Sequence, residues 1–251
     1  MIKSLFSAFL MYSRIPMPKT EWNEHNRKYV LCFFPLIGAV IGMIFITWFW
    51  ICQKLSIGNT LFSAIGVCIP VWITGGIHID GFCDVQDAKA CMGSREQCLE
   101  VMKDSRVGAF AVIYLGLYFL LQFGIFSEIH TYRIAGICAL GFMLSRAESG
   151  LCATILPYVN PKSSVDNFRN SKKVIVITEI IYIATISTMM IILDILNGIS
   201  VILGSVLWII YYKNFACKKF GGVTGDLAGY FLQICELIIC FCAVVSDLLF
   251  R

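Results

Sequence analysis

Seven apolar runs constrain this chain more than anything else in its sequence. They lie at about Leu31–Cys52, Thr60–Gly75, Val107–Ser127, Ile134–Leu156, Val174–Leu193, Gly198–Tyr212 and Leu227–Leu249. A helix rises about 1.5 Å per residue, so about 20 apolar residues cross the hydrocarbon layer of a bilayer. Inside lipid the backbone must satisfy its own hydrogen bonds, and continuous apolar runs do so as helices. Charged residues make up only 14% of the 251, against 58% hydrophobic, where soluble domains carry about 25% charged. The expected fold is all-α: one polytopic integral membrane bundle, 1–251, of about seven spans.

The charges between the runs suggest an orientation. With seven spans, all but four of the 20 lysines and arginines fall on the side of the N-terminus; Lys54, Arg133 and Arg251 fall opposite, and Arg146 lies within the fourth run. Positive residues are retained in the cytoplasm, so the N-terminus is expected inside, in a multi-pass protein of the cell membrane. Residues 1–29, with a short apolar start and the turn Arg14-Ile15-Pro16-Met17-Pro18, read as a surface-lying amphipathic segment. The polar segments 76–106 and 213–226 then share the cytoplasmic face. A net charge of +4 suggests no nucleic-acid surface. The 12 cysteines show no paired metal spacing and read as free thiols facing a reducing compartment.

One stretch breaks the apolar pattern. From Gly75 to Ala88 the chain reads GGIHIDGFCDVQDA, with Asp80, Asp84 and Asp87 at spacings of four and three. On a helix these carboxylates share a face and repel one another unless a cation intervenes. Hard divalent ions with oxygen ligands, Mg2+ or in its place Mn2+, answer that need. A merely solvated acidic face is the alternative; against it, the row directly follows an apolar run and is flanked by Gly75, Gly76 and Gly81, which permit close approach of a ligand. Neighbouring His78 either orients an aspartate, serves as a base, or has no catalytic role.

Two further segments lie on the same side. Lys103-Asp104-Ser105-Arg106 reads as a helix cap at Asp104 or Ser105, or as a phosphate clamp through Lys103 and Arg106. Gly221-Gly222-Val223-Thr224-Gly225-Asp226 reads as an ordinary capped turn, or as a backbone cradle for phosphate built on Gly222, Thr224 and Gly225. Asp226 joins the acidic stretch only if the two segments fold together. Within the runs, Arg146 either binds a substrate phosphate or pairs with Glu148 or Glu236, since ionisable groups at membrane depth seek partners.

Taken in order, GGIHIDGFCDVQDA, KDSRVGAF and GGVTGD resemble the cobalamin synthase family, the adenosylcobinamide-GDP ribazoletransferases. The resemblance runs from RIPMP and FFPLIG at Phe33–Gly38 through nearly the whole chain. It implies an Mg2+-dependent membrane enzyme that joins adenosylcobinamide-GDP to alpha-ribazole or its 5'-phosphate, releasing GMP. Carried onto this sequence, the family's motifs fall on His78, Asp80, Gly81, Asp84 and Asp87, on Asp104, Ser105 and Arg106, on Ser145 and Arg146, and on Gly221, Gly222, Thr224, Gly225 and Asp226. Ala88 stands where the family often has glycine. The resemblance implies metal ligands among Asp80, Asp84, Asp87, Asp104 and Asp226, with Asp226 or His78 also a candidate base. Lys103, Arg106 and Arg146 are then the expected phosphate contacts, with membrane lipid around the bundle and a homo-oligomer left open. The acidic row more distantly resembles CDP-alcohol phosphotransferases, and a transporter using Arg146, Glu148 and Glu236 is the alternative of another class.

Overall fold

Each apolar run forms a helix, because propensity and the demand for internally paired backbone act together in lipid. A computed structural model describes residues 2–21, 28–159 and 171–250. Arg27, Lys162, Arg169 and Arg251, used above to orient the chain, lie outside the described residues. The helices are α1 (Ile2–Tyr12), α2 (Phe34–Lys54, entered through a short 3-10 turn), α3 (Asn59–Thr74), α4 (Ile77–Ala90), α5 (Arg95–Met102), α6 (Ala109–Ser127), α7 (Tyr132–Ile155), α8 (Lys172–Leu193), α9 (Ile195–Phe215) and α10 (Gly225–Phe250).

Among the described residues six helices are long and apolar enough to cross a membrane: α2, α6, α7, α8, α9 and α10. The second expected run, Thr60–Gly75, forms a helix with nearly those bounds, but one too short to pass as a span by itself. With 16 residues, α3 is about 24 Å long, and it qualifies only together with α4, from which it is bent by 96°. The break is written in Gly75 and Gly76, whose φ angles of 67° and 80° are left-handed values that favour glycine. The polar segment 76–106 contains two helices, α4 and α5, the first of which carries the acidic row on helical turns as its spacing suggested. Segment 213–226 is helical to Phe215 and then a π turn, Ala216–Phe220.

Polar contacts sort the helix ends into two sets. At one end Asn59 donates to the Ser127 carbonyl (2.9 Å) and Arg133 pairs with Asp194 (3.1 Å). At the other, Lys219 Nζ donates to the Lys89 carbonyl at 2.5 Å, so the α4–α5 and α9–α10 segments meet, as seven alternating crossings require. The central helix is α7, much the most buried of the six. Against it α2 packs nearly backbone to backbone: a Cβ on Gly38 would stand 2.2 Å from the Phe142 carbonyl oxygen, and one on Gly42 2.3 Å from that of Ala139. Small residues at such crossings are how helices associate without a hydrophobic drive. Outward faces of α8 and α9 carry Ile177, Ile181, Leu203 and Leu207 exposed, which is a lipid-facing surface.

Candidate active site

The acidic helix α4 is held by a glycine crossing. A Cβ on Gly81 would lie 2.8 Å from Asp226 Cα, and one on Gly229 would lie 3.2 Å from the His78 carbonyl oxygen. Two missing side chains thus let α4 and the start of α10 touch through their backbones. Thr224 caps α10, its Oγ1 accepting from the Leu227 amide at 3.1 Å. Gly222 lies flat against the chain after α7, where a Cβ would meet the Pro157 oxygen at 2.3 Å; there the Val223 amide donates to that oxygen at 2.8 Å. The condition set by the sequence, that the two segments fold together, is met. Asp84 feels the charges of Asp80, Asp226 and Asp87, and Asp226 feels that of Asp80.

Two cavities open beside this crossing and share a wall. One, of about 400 Å3, is mostly apolar, lined by Tyr12, Phe34 and Ala153 with His78, Thr224 and Asp226. The other, of about 820 Å3, holds Asp84, Asp87, Asp104 and Ser105 together with Arg14. Asp80 and Lys103 line both. Met11, Ile77 and Met102 line both as well, so the shared wall carries one carboxylate and one ammonium among apolar side chains.

The remaining predicted residues divide. Asp87 shares the acidic face but spends its carboxylate as a helix cap: Oδ2 accepts from the Gly108 amide (2.7 Å) and Oδ1 from the Ala111 amide (2.9 Å), holding the N-terminus of α6. Asp104 is clasped by Arg106, whose Nη2 donates to Oδ2 at 2.6 Å and Nε to Oδ1 at 3.0 Å. Those hydrogen bonds hold the Asp104 carboxyl down to about 2, and the pair is open to solvent. His78 is buried between the rings of Tyr12 and Phe34. Of the glycine-rich turn, Thr224 and Gly225 line the apolar cavity whereas Gly222 does not.

Arg146 is a correction to the expected phosphate contact. Its side chain is fully buried, and Nη1 donates to Glu236 Oε1 at 2.6 Å and to the Phe142 carbonyl at 2.7 Å. It lines neither cavity, so the pairing alternative is the one realised, with Glu236. Glu148 instead accepts from Ser205 (2.8 Å) and Cys235 (3.2 Å). Two residues escaped sequence reasoning. Glu179, in α8, is fully buried with neither carboxylate oxygen bonded; a lone acid in the fifth apolar run was its signal. Arg14 lines the polar cavity; it opens the RIPMP turn, but its charge alone reads as an orienting surface residue.

Among the described residues no three His, Cys, Asp or Glu side chains close on one point as a finished metal cage. The anionic donors facing the polar cavity are nonetheless the carboxylates of Asp80, Asp84, Asp87 and Asp104, with the Cys83 thiol and three hydroxyls beside them. Asp80 and Asp84 make no hydrogen bond or ion pair through their side chains to other described residues, so their oxygens remain available. Unspent, mutually repelling oxygens fit a hard divalent ion in kind, with Asp226 as the nearest supplement. Asp87 and Asp104 are less available, being committed to amides and to Arg106.

The chain matches the family model described as cobalamin-5-phosphate synthase over residues 4–244. A protein named adenosylcobinamide-GDP ribazoletransferase from Lachnoclostridium phytofermentans is 42% identical over 249 residues, covering 98% of this chain and 95% of its own. Proteins of the same name from Listeria monocytogenes and Clostridium botulinum are 31% and 30% identical, each covering 97% of this chain. No solved structure matches. With this likeness over nearly the whole chain, the protein belongs to the cobalamin-5-phosphate synthase family as a multi-pass membrane enzyme.

Proposed function

We propose that this protein transfers the phosphocobinamide part of adenosylcobinamide-GDP to alpha-ribazole or its 5'-phosphate, giving adenosylcobalamin or its 5'-phosphate and GMP. The observation that carries this reading is the delivery of Asp226 onto the acidic face of α4 at the wall between an apolar and a polar cavity. The names of the relatives supply the substrates. The excess of lysine and arginine on this end of the bundle supports a site facing the cytoplasm.

In the reaction, a ribose hydroxyl of the acceptor attacks the phosphorus linked to cobinamide. A new O–P bond forms, the bond from that phosphorus to the GMP oxygen breaks, and the hydroxyl proton passes to a base, for which Asp226 or His78 is the candidate. Lys103, on the shared wall, faces the diphosphate from either cavity. Arg106 stands at the outer rim, 88% exposed, where it meets an incoming nucleotide before the inner groups do. Asp80, Asp84 and Asp226 would hold Mg2+, or Mn2+ in its place. Such an ion, when bound, neutralises phosphate charge as the leaving group departs. The apolar chamber excludes water from the hydroxyl, which protects the donor from hydrolysis.

The test is product identification. Purified protein in lipid, given adenosylcobinamide-GDP, alpha-ribazole and Mg2+, is expected to release GMP and form a corrinoid carrying the lower base. Release of CMP from a CDP-alcohol donor with the corrinoid donor untouched would replace this reading with the phosphatidyltransferase one. Flux across sealed vesicles without bond cleavage would replace it with a transporter.

A further inference from the structure

We infer that Arg14 is a substrate-binding residue, the cationic arm that grips a diphosphate from the side of the polar cavity formed by the N-terminal segment. Its backbone is fixed before its side chain is considered. The Arg14 amide donates to the Ile73 carbonyl at 2.7 Å, taking one of the orphan acceptors at the end of α3. The preceding Ser13 is tied by its Oγ to the Phe9 carbonyl at 2.7 Å, and Pro16 follows. The side chain then lies across the break between α3 and α4: a Cβ on Gly75 would stand 2.3 Å from Arg14 Nε. The left-handed glycine that bends the chain by 96° thus also makes the groove in which the guanidinium rests.

From that groove Arg14 lines the same cavity as Asp80, Asp84 and Lys103. Its guanidinium forms no ion pair or hydrogen bond with the described residues, although carboxylates line the same cavity. An arginine offers five donors in a planar fork suited to phosphate oxygens, and these donors are unspent. Lys103 and Arg14 come from segments nearly 90 residues apart and line one cavity, an arrangement that can hold an extended anion between them. The ligand class this points to is a diphosphate, which under the proposed function belongs to the nucleotide-linked donor; the inference rests on that reading for the donor's identity alone. The competing explanation is a cation that merely complements the C-terminal dipole of α3.

Inorganic pyrophosphate with Mg2+ is the probe, its binding to the full chain in lipid nanodiscs measured by titration calorimetry. Arg14→Ala is expected to weaken binding at least about tenfold, and Arg14→Lys by a smaller factor, because a point charge replaces the fork. Melting temperatures should stay close to that of the unaltered protein, and in turnover the KM for the corrinoid donor should rise with kcat little changed. Unchanged pyrophosphate affinity in a folded Arg14→Ala protein, or a loss of thermal stability without loss of affinity, overturns the inference. Should Arg14→Ala fail to fold, Arg14→Lys and Arg14→Gln, which keep the aliphatic stem, are read by the same rule. Because pyrophosphate binding needs no turnover, failure of the proposed reaction leaves this test readable.

Discussion

Asp84→Asn is expected to lower turnover by about a thousandfold while leaving the protein inserted and as heat-stable as before. Asp84 lies mid-face on α4 and feels three other carboxylates. No hydrogen bond or ion pair from the rest of the described protein occupies its oxygens, so neither fold nor packing depends on its charge. Removing one of several crowded negative charges relieves repulsion, and stability should hold or rise slightly. Activity should move the other way, because the amide is a far poorer partner for a divalent ion than the carboxylate. The contrast is Asp87→Asn, which loses an acceptor at the N-terminus of α6 and should therefore lower stability as well as rate. Product release measured alongside thermal unfolding for both variants separates the two roles. Equal turnover by folded Asp84→Asn would remove Asp84 from the site.

The largest expected effect on stability lies at the buried pair. Replacing Glu236 by Ala leaves the Arg146 guanidinium charged, fully buried and bonded only to a carbonyl. Breaking a buried pair by removing one partner costs about 3–5 kcal/mol. Total stabilities are about 5–15 kcal/mol, so little folded protein should survive extraction from the membrane. Arg146→Ala should do comparable damage, leaving Glu236 with Ser145 at 3.4 Å. The joint replacement Arg146→Met with Glu236→Leu should recover much of the loss, since an apolar pair needs no charge partner. Yield of monodisperse protein and its melting temperature check this. A stable single variant would show that the pair is unimportant to folding.

Much of the architecture was legible because lipid leaves a helix few alternatives. Six of the seven expected runs match spanning helices within a few residues, and the two polar segments meet at one end as their lysines and arginines suggest. Gly75-Gly76 hid the main departure. The apolar pattern stops at Gly75, and only the left-handed φ values of Gly75 and Gly76 show the chain turning there into a second helix. The acidic row was readable from its spacing because its residues are neighbours on one helix. What Asp87 and Arg146 do was not, since their partners lie 21 and 90 residues away along the chain. Spacing arguments end at the element, and a carboxylate capping a distant helix looks in sequence like one awaiting an ion. Asp226 shows the converse: its turn is unremarkable alone, and only Gly81 and Gly229, two small residues with no local signature, bring it to Asp80 and Asp84.

The central claim is that carboxylates from α4 and α10 jointly hold a divalent ion. Electron paramagnetic resonance of Mn2+ titrated into the lipid-embedded protein reads this without any substrate. Binding is predicted in the unaltered protein and its loss in both Asp84→Asn and Asp226→Asn, whose positions lie on separate helices. Full Mn2+ binding in the two folded variants, or none in the unaltered protein, would contradict it.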